Sequence, residues 1–250
     1  MQFLQQYSRT TKAAEIFLII FLFFLVYYFS IPASFNTIYE NRRFFDSDGE
    51  FIVRQFRENS TYTHNDHILY HVIARFLYNN PKLLGLGRNP IRIHRFMSIF
   101  SGSIVAGLSY WAGRKILNDR FFAFAFCSII SFSAGQWFFA ATIDTYVPCL
   151  FFSFASLLTA LYAINSPKKF IHILLGAVMG ISFLLRTDSF LLAVLLLIYI
   201  TDFTKKWRLF LLATTSGLLV GIVGYFLLAH MFYEVPFTEV VSWAMGGVKR

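Results

Sequence analysis

The chain has 250 residues, of which 57% are hydrophobic and 14% charged, with a formal net charge of +9. Soluble proteins carry roughly 25% charged residues, so this composition excludes an ordinary water-soluble domain and names lipid as the solvent. The positive charge does not point to nucleic acid, because no basic stretch interleaved with aromatic residues forms a recognition motif.

Residues 16–33, IFLIIFLFFLVYYFSIPA, contain no charge. A hydrocarbon core about 30 Å thick takes roughly 20 helical residues, so this segment predicts a first membrane span. It is too long for a secretory signal core and no small-residue cleavage site follows at once, which predicts a retained helix. A long external stretch, 34–95, comes next. Within it, EFIVRQFREN places Phe51, Ile52 and Phe56 on one helical side and Arg54, Arg57 and Glu58 elsewhere. HILYHVIARFLYNN places Ile68, Leu69, Val72, Phe76 and Leu77 on one apolar face. Both are too short or too charged to cross and predict amphipathic helices in the plane of the interface. Pro81 and Pro90 break the run into the second span. Further spans are predicted at 96–113, 121–141, 146–164, 170–185, 190–203 and 209–232. The expected fold is all-α, a single transmembrane domain over residues 1–250 with about seven spans. Ser103 and Gly107 form a small-xxx-small pattern that reads as helix packing.

Short basic segments fall on one side of this arrangement: Arg9 and Lys12, then Arg114, Lys115 and Arg120, then Lys168 and Lys169, then Lys205, Lys206 and Arg208. The positive-inside rule makes that side cytoplasmic, with the N-terminus inside. Glu15, Asp119 and Asp202 then lie inside and every other acid outside. The external arginines, among them Arg42, Arg43, Arg88, Arg92 and Arg95, ask for an anionic partner outside the cytoplasm. Cys127 and Cys149 fall at different depths in neighbouring spans, which argues against a disulfide and for two small apolar residues. Asn59–Ser60–Thr61 fits the glycosylation acceptor pattern.

The scarce acids gather in FFDSDGEF, where Asp46, Asp48 and Glu50 occupy five residues soon after the first span. Groups held there can meet a molecule whose tail stays in the bilayer. The ordered set of DSDGEF, HNDHILYHVIARF, NPIRIHRFMSIFSGSIVAGLSYW and LLRTDSFLL resembles the GT-C superfamily of membrane glycosyltransferases, which includes protein O-mannosyltransferases and aminoarabinose-type lipid A transferases. Relatives often have prolines before the second juxtamembrane LLY, and here they are missing. The chain also ends soon after the seventh span, where most relatives continue into a variable C-terminal module.

The resemblance implies an integral protein of a bacterial inner membrane or the endoplasmic reticulum that moves a sugar, with inversion, from a polyprenyl phosphate or pyrophosphate to a protein, glycan or lipid acceptor. Such chemistry needs a carboxylate to take the acceptor proton, an oxocarbenium-like passage and cations for the departing phosphate. Asp48, then Asp46, are the catalytic candidates, and Glu50 orients a partner or the acceptor. The same DSDG reads equally as a turn capping the helix that follows. His64, Asp66, His67 and His71 are candidates for binding phosphate or sugar. A divalent metal, if used, would draw on Asp46, Asp48, His67 and His71, the two histidines sharing a helical face. Asp144 is placed to meet sugar hydroxyls or to cap the helix starting at Tyr146. Arg186 offers a fork for phosphate or pairs locally with Asp188.

Three alternatives stand beside the enzyme: a non-catalytic membrane subunit, a lipid-sugar transporter and a superfamily remnant. An ion-coupled transporter places ionisable groups at mid-membrane, whereas these spans are nearly free of them.

Overall fold

The computed structural model describes residues 2–30, 47–57, 65–164, 166–189 and 207–246. Among them every regular element is helical: α1 (Gln2–Phe29), α2 (Ser47–Arg57), α3 (Ile68–Asn79), α4 (Pro90–Leu117), α5 (Arg120–Ser131), α6 (Ala134–Ala141), α7 (Tyr146–Ala163), α8 (Lys169–Leu185), a 3-10 turn at Thr187–Ser189, α9 (Trp207–Leu218), a π-helical turn at Leu219–Val223, α10 (Gly224–Tyr233) and α11 (Val240–Ala244). The protein is thus all-α among the described residues, and two of its helical runs are long and apolar enough to cross a membrane, α7 and the run Trp207–Tyr233.

A third crossing exists if α5 and α6 count together, but these two are bent by 68°, so the expected unbroken span 121–141 is corrected to a broken one. The cause is local. The Ser133 hydroxyl donates to the Ile130 carbonyl at 2.7 Å, taking an acceptor that a continuing helix would use, and Ser133 then caps α6. The segments 16–33 and 170–185 contain the shorter apolar helices Ala13–Phe29 and Lys169–Leu185. The 96–113 segment lies inside α4, a continuous helix of 28 residues. Ser98, Ser101, Ser103 and Ser109 on α4 are all buried, so its polarity faces inward. The 190–203 segment lies outside the described residues.

The chain divides into two compact units, Met1–Gly49 with Arg95–Val147 and Glu50–His94 with Pro148–Arg250. In the first, Ile19, Phe23 and Tyr27 of α1 pack with Ile99, Ala106 and Tyr110 of α4 and with Ala123 and Cys127 of α5. Tyr27 is fully buried, and its hydroxyl donates to the Ser131 carbonyl at 3.1 Å, satisfying a helix-end acceptor. Gly102 lets α4 approach closely, since a Cβ there would meet Ala140 Cβ at 2.6 Å and the Tyr27 ring at 3.1 Å. At one end Glu15 accepts from the Tyr110 hydroxyl at 3.0 Å, pairs with Arg120 at 2.6 Å and lies 3.5 Å from Arg114 Nε. The ends of α1, α4 and α5 that the charge pattern assigns to one side are therefore tied through one carboxylate. Asp119 caps α5 by accepting from Phe122 N at 2.9 Å, and both cysteines are buried and free.

In the second unit α8 and α9 are joined glycine to glycine. A Cβ on Gly176 would collide with the Ala213 carbonyl oxygen, and one on Gly180 would lie 2.8 Å from Gly221 N. The pattern is Gly-xxx-Gly on both sides, 176/180 and 217/221, the spacing that brings membrane helices close. Ser216 Oγ donates across the same seam to Ile173 O at 2.8 Å. Between α7 and α8, the Ser153 and Ser182 hydroxyls meet at 2.8 Å.

The amphipathic helices α2 and α3 form as expected, with one correction. On α2, Ile52 and Val53 are buried and Arg54 and Arg57 exposed. On α3 the buried set is Ile68, Tyr70, His71 and Ala74, while Phe76 is 57% exposed. The inner face is thus rotated from the apolar one read in the sequence. Tyr70 and His71 carry hydrogen-bonding groups that lipid cannot satisfy, so they turn inward and Phe76 turns out.

Glycine 176 should tolerate nothing larger than hydrogen. Gly176→Ala is expected to cost about 1–3 kcal/mol by overpacking, while Gly135→Ala, where a Cβ meets nothing within 4 Å, should be neutral or stabilising. Thermal melts of the two detergent-purified variants would check this, and equal melting points would contradict it.

Candidate functional site

The polar centre of the second unit is built where the loop before α3 meets the turn after α8. Backbone contact sets the register: Thr187 N donates to the Asp66 carbonyl at 3.1 Å. Asn65 fixes the first loop from both ends of the residue. Its side-chain amide nitrogen donates to the carbonyls of Trp243 and Ala244, each at 2.7 Å, and its own carbonyl accepts from the Tyr225 hydroxyl at 2.6 Å. These bonds satisfy carbonyls at the end of α11 that its helix leaves open. Tyr233 adds a bond from its hydroxyl to Ile68 O at 3.4 Å. The last helical run and the C-terminal turn therefore hold Asn65, Asp66 and His67 in place.

Four charged or titratable side chains gather there. His67 Nε2 lies 3.5 Å from Asp66 Oδ2, with the Asp66 side chain 45% exposed and that of His67 9%. Arg186 ends α8 and grips Asp188 with two nitrogens, Nη2 to Oδ2 at 2.9 Å and Nε to Oδ1 at 3.1 Å. The Arg186 hydrogen bond holds the Asp188 carboxyl below the usual carboxylate range, with the charges of Arg186 and His67 adding to the effect. That assigns His67 and Asp188 to one electrostatic neighbourhood. Asp188 is well exposed, so this pair contributes little to stability but does orient the guanidinium.

Beside these groups opens a groove of about 300 Å³. Asn65, Asp66 and Thr187 form its polar side. Phe183, Ile222, Tyr225, Phe226, Val240 and Val241 are among its apolar walls. The volume is at the lower end of small-molecule sites, enough for one ring or a short stretch of hydrocarbon. A carboxylate beside an apolar wall is a proton acceptor in a poorly hydrated place, and the neighbouring guanidinium supplies positive charge.

The other sequence candidates are placed as follows. Asp46 and His64 lie outside the described residues. Asp48 and Glu50 stand in the first turn of α2, with their side chains outside the described set. His71 is buried on α3. Asp144 belongs to the first unit and is 2% exposed. Its Oδ1 accepts from Tyr146 N at 2.8 Å, the cap geometry for α7, and its backbone meets Ser98 Oγ, which lies 3.3 Å from Asp144 O. Among the described residues no group of three or more His, Cys, Asp or Glu is arranged to hold a metal ion. His67 and His71 are one turn apart, but no third donor joins them among those residues, so no metal step is built on this site. Asn65, Thr187 and Tyr225 were not singled out in the sequence. Tyr225 left a trace, as a lone hydroxyl in an apolar run that must find a partner.

No protein-family model, curated protein or solved structure matches this chain.

Behind the site, His94 is fully buried. Its Nδ1 lies 3.1 Å from the Tyr70 hydroxyl, its ring stacks on Tyr70 at 5.3 Å and Phe56 meets it edge-on. Burial pushes the imidazole from 6.5 down to about 3. The unfolded chain therefore takes a proton at a higher pH than the folded one. Stability is full above about pH 6.5 and falls as pH drops toward 3, on the order of a few kcal/mol over the window. His94→Phe should flatten that acid slope, while costing about 1 kcal/mol at neutral pH for the lost Tyr70 bond. Denaturation midpoints measured from pH 7 to pH 4 check both, and an unchanged slope would remove His94 as the cause.

Proposed function

We propose that this protein is an inverting glycosyltransferase of the GT-C kind, using a polyprenyl-phosphate or polyprenyl-pyrophosphate sugar at the external or luminal face of a membrane. The observation that supports it is the juxtaposition of Asp66, His67 and the Arg186–Asp188 pair at the mouth of an apolar groove. A lipid-linked sugar needs hydrocarbon contact, a proton acceptor and a cation within one site.

In this reading Asp66 takes the proton of the acceptor hydroxyl. The acceptor oxygen bonds to the anomeric carbon from the face opposite the phosphate, and the bond from that carbon to the phosphate oxygen breaks, its electron pair leaving with the phosphate. Arg186 stabilises that charge and Asp188 keeps the guanidinium planar to it. His67 holds the Asp66 carboxylate. The apolar walls exclude water, which would otherwise compete as acceptor. Asp48 and Asp46 keep their place as the carboxylates read from the sequence, and Asp144 contributes the cap of α7. A non-catalytic subunit is the second reading, favoured by the fact that Arg186 already carries its own carboxylate partner. Seven spans with the N-terminus in the cytoplasm belong to the same proposal, supported by the basic inner loops and by the Glu15 cluster.

General-base catalysis is worth about 10²–10⁴ in rate, so Asp66→Asn should lower transfer by at least about a hundredfold with abundance retained. Purified protein is assayed with polyprenyl-phosphate sugars, with and without chelator, alongside Asp48→Asn. Loss only in Asp48→Asn would move the base to that residue. Undiminished turnover in both would end the assignment, and no turnover in the parent protein favours the subunit.

Orientation is checked by labelling single-cysteine variants Ser47→Cys and Ser166→Cys in intact cells or sealed vesicles. Impermeant reagent from outside should reach the first and not the second; equal labelling would overturn the topology.

A further inference from the structure

The connection from α3 to α4 carries a pattern that the candidate site does not use. From His67 to Asn118 the sequence has no Asp or Glu. Within that acid-free stretch Lys82, Arg88 and Arg92 are exposed. Between the cations sit Leu83, 61% exposed, and Leu84, 45% exposed.

The shape of this loop is set at its ends and not by burial of those leucines. Asn80 closes α3, with its side chain donating to Phe76 O at 2.8 Å, and its carbonyl accepts from Leu83 N at 3.0 Å. Asn89 caps α4 by accepting from Arg92 N at 3.3 Å, with Pro90 at the first helical position, where its missing N–H costs nothing. Gly85 and Gly87 take positive φ, 65° and 66°, with open space where a Cβ would stand. The result is an ordered tip that displays leucines and cations together.

Its level relative to lipid follows from the helix it feeds. Residues 90–95 precede the apolar segment that starts at Phe96, and six helical residues rise about 9 Å. The headgroup layer on each side of a bilayer is about 5–8 Å deep. The loop therefore stands at headgroup height if α4 enters the hydrocarbon at Phe96.

We propose that residues 80–92 form a membrane-surface contact that inserts Leu83 and Leu84 among the lipids and selects anionic headgroups through Lys82, Arg88 and Arg92. Exposed leucines argue for a lipid surface over free phosphate, which has nothing to offer them. The absence of any carboxylate from the same stretch leaves the cations uncompensated by their own segment, and an anionic surface rewards each with about a fivefold gain. This surface is independent of the glycosyl-transfer reading and stands or falls without it.

The test uses the full chain in lipid nanodiscs, with an environment-sensitive fluorophore on Leu84→Cys and the two buried native cysteines left in place. Spin-labelled zwitterionic lipid, spin-labelled anionic lipid and aqueous iodide are compared as quenchers. The expected result is quenching by both lipids, more strongly by the anionic one, with the probe shielded from iodide. Lys82→Gln, Arg88→Gln and Arg92→Gln together should abolish the preference for the anionic lipid and leave zwitterionic quenching unchanged. Leu83→Ser, with the cations intact, should raise iodide access. A probe reached by iodide and by neither lipid would overturn the contact and leave the loop facing an aqueous partner. Equal quenching by the two lipids in the parent protein would overturn the headgroup selection.

Discussion

The second unit depends on how closely α8 and α9 approach. Two glycines on each helix remove every side-chain atom from the seam, so backbone meets backbone and van der Waals contact replaces the hydrophobic drive that lipid does not supply. The seam fixes the two ends that matter. The C-terminal end of α8 delivers Arg186 and Asp188, and the run beyond α9 delivers Tyr225 and Tyr233. Had either helix carried leucine at the contact, the axes would part and the bonds from Tyr225 to Asn65 and from Thr187 to Asp66 would have no common frame.

Within that frame polar groups are few and nearly all are used on carbonyls. Tyr27, Ser133, Ser216, Tyr225 and Tyr233 each donate to a main-chain oxygen. In lipid an unsatisfied carbonyl is costly, so a hydroxyl placed at a helix end or break is a structural part. The Asn65 amide serves two carbonyls at once, which binds the C-terminal turn to the acidic loop more firmly than one bond would.

Much of the architecture was legible because lipid imposes a simple rule on composition. The uncharged run after Glu15, the two juxtamembrane helices and the apolar α7 and α8 could be read from period and length. What misled was polarity inside apolar runs. Serines 131 and 133 looked harmless in 121–141, yet Ser133 takes a helix carbonyl and the helix breaks. On α3 the apolar stripe seemed the inner face, whereas the groups needing hydrogen bonds, Tyr70 and His71, occupy it. Of the site, Asp66, His67 and Arg186 were visible as charged residues at the borders of spans, and Asp188 as the partner of Arg186. Asn65, Thr187 and Tyr225 were not, because their roles come from contacts between residues far apart in the chain. The paired glycines at 176/180 and 217/221 were legible by spacing alone and were passed over for Ser103 and Gly107.

The π-helical turn at Leu219–Val223 has a consequence for how this chain can change. Such a turn accommodates one residue more than an α-helix would. Excising any single residue there would let the helix relax and swing all that follows by about 100°, carrying the Tyr225 hydroxyl off Asn65 and Ile222 out of the groove. The final crossing is free to exchange one aliphatic residue for another, but its residue count is locked. Insertions and deletions, not conservative replacements, are what this stretch would reject.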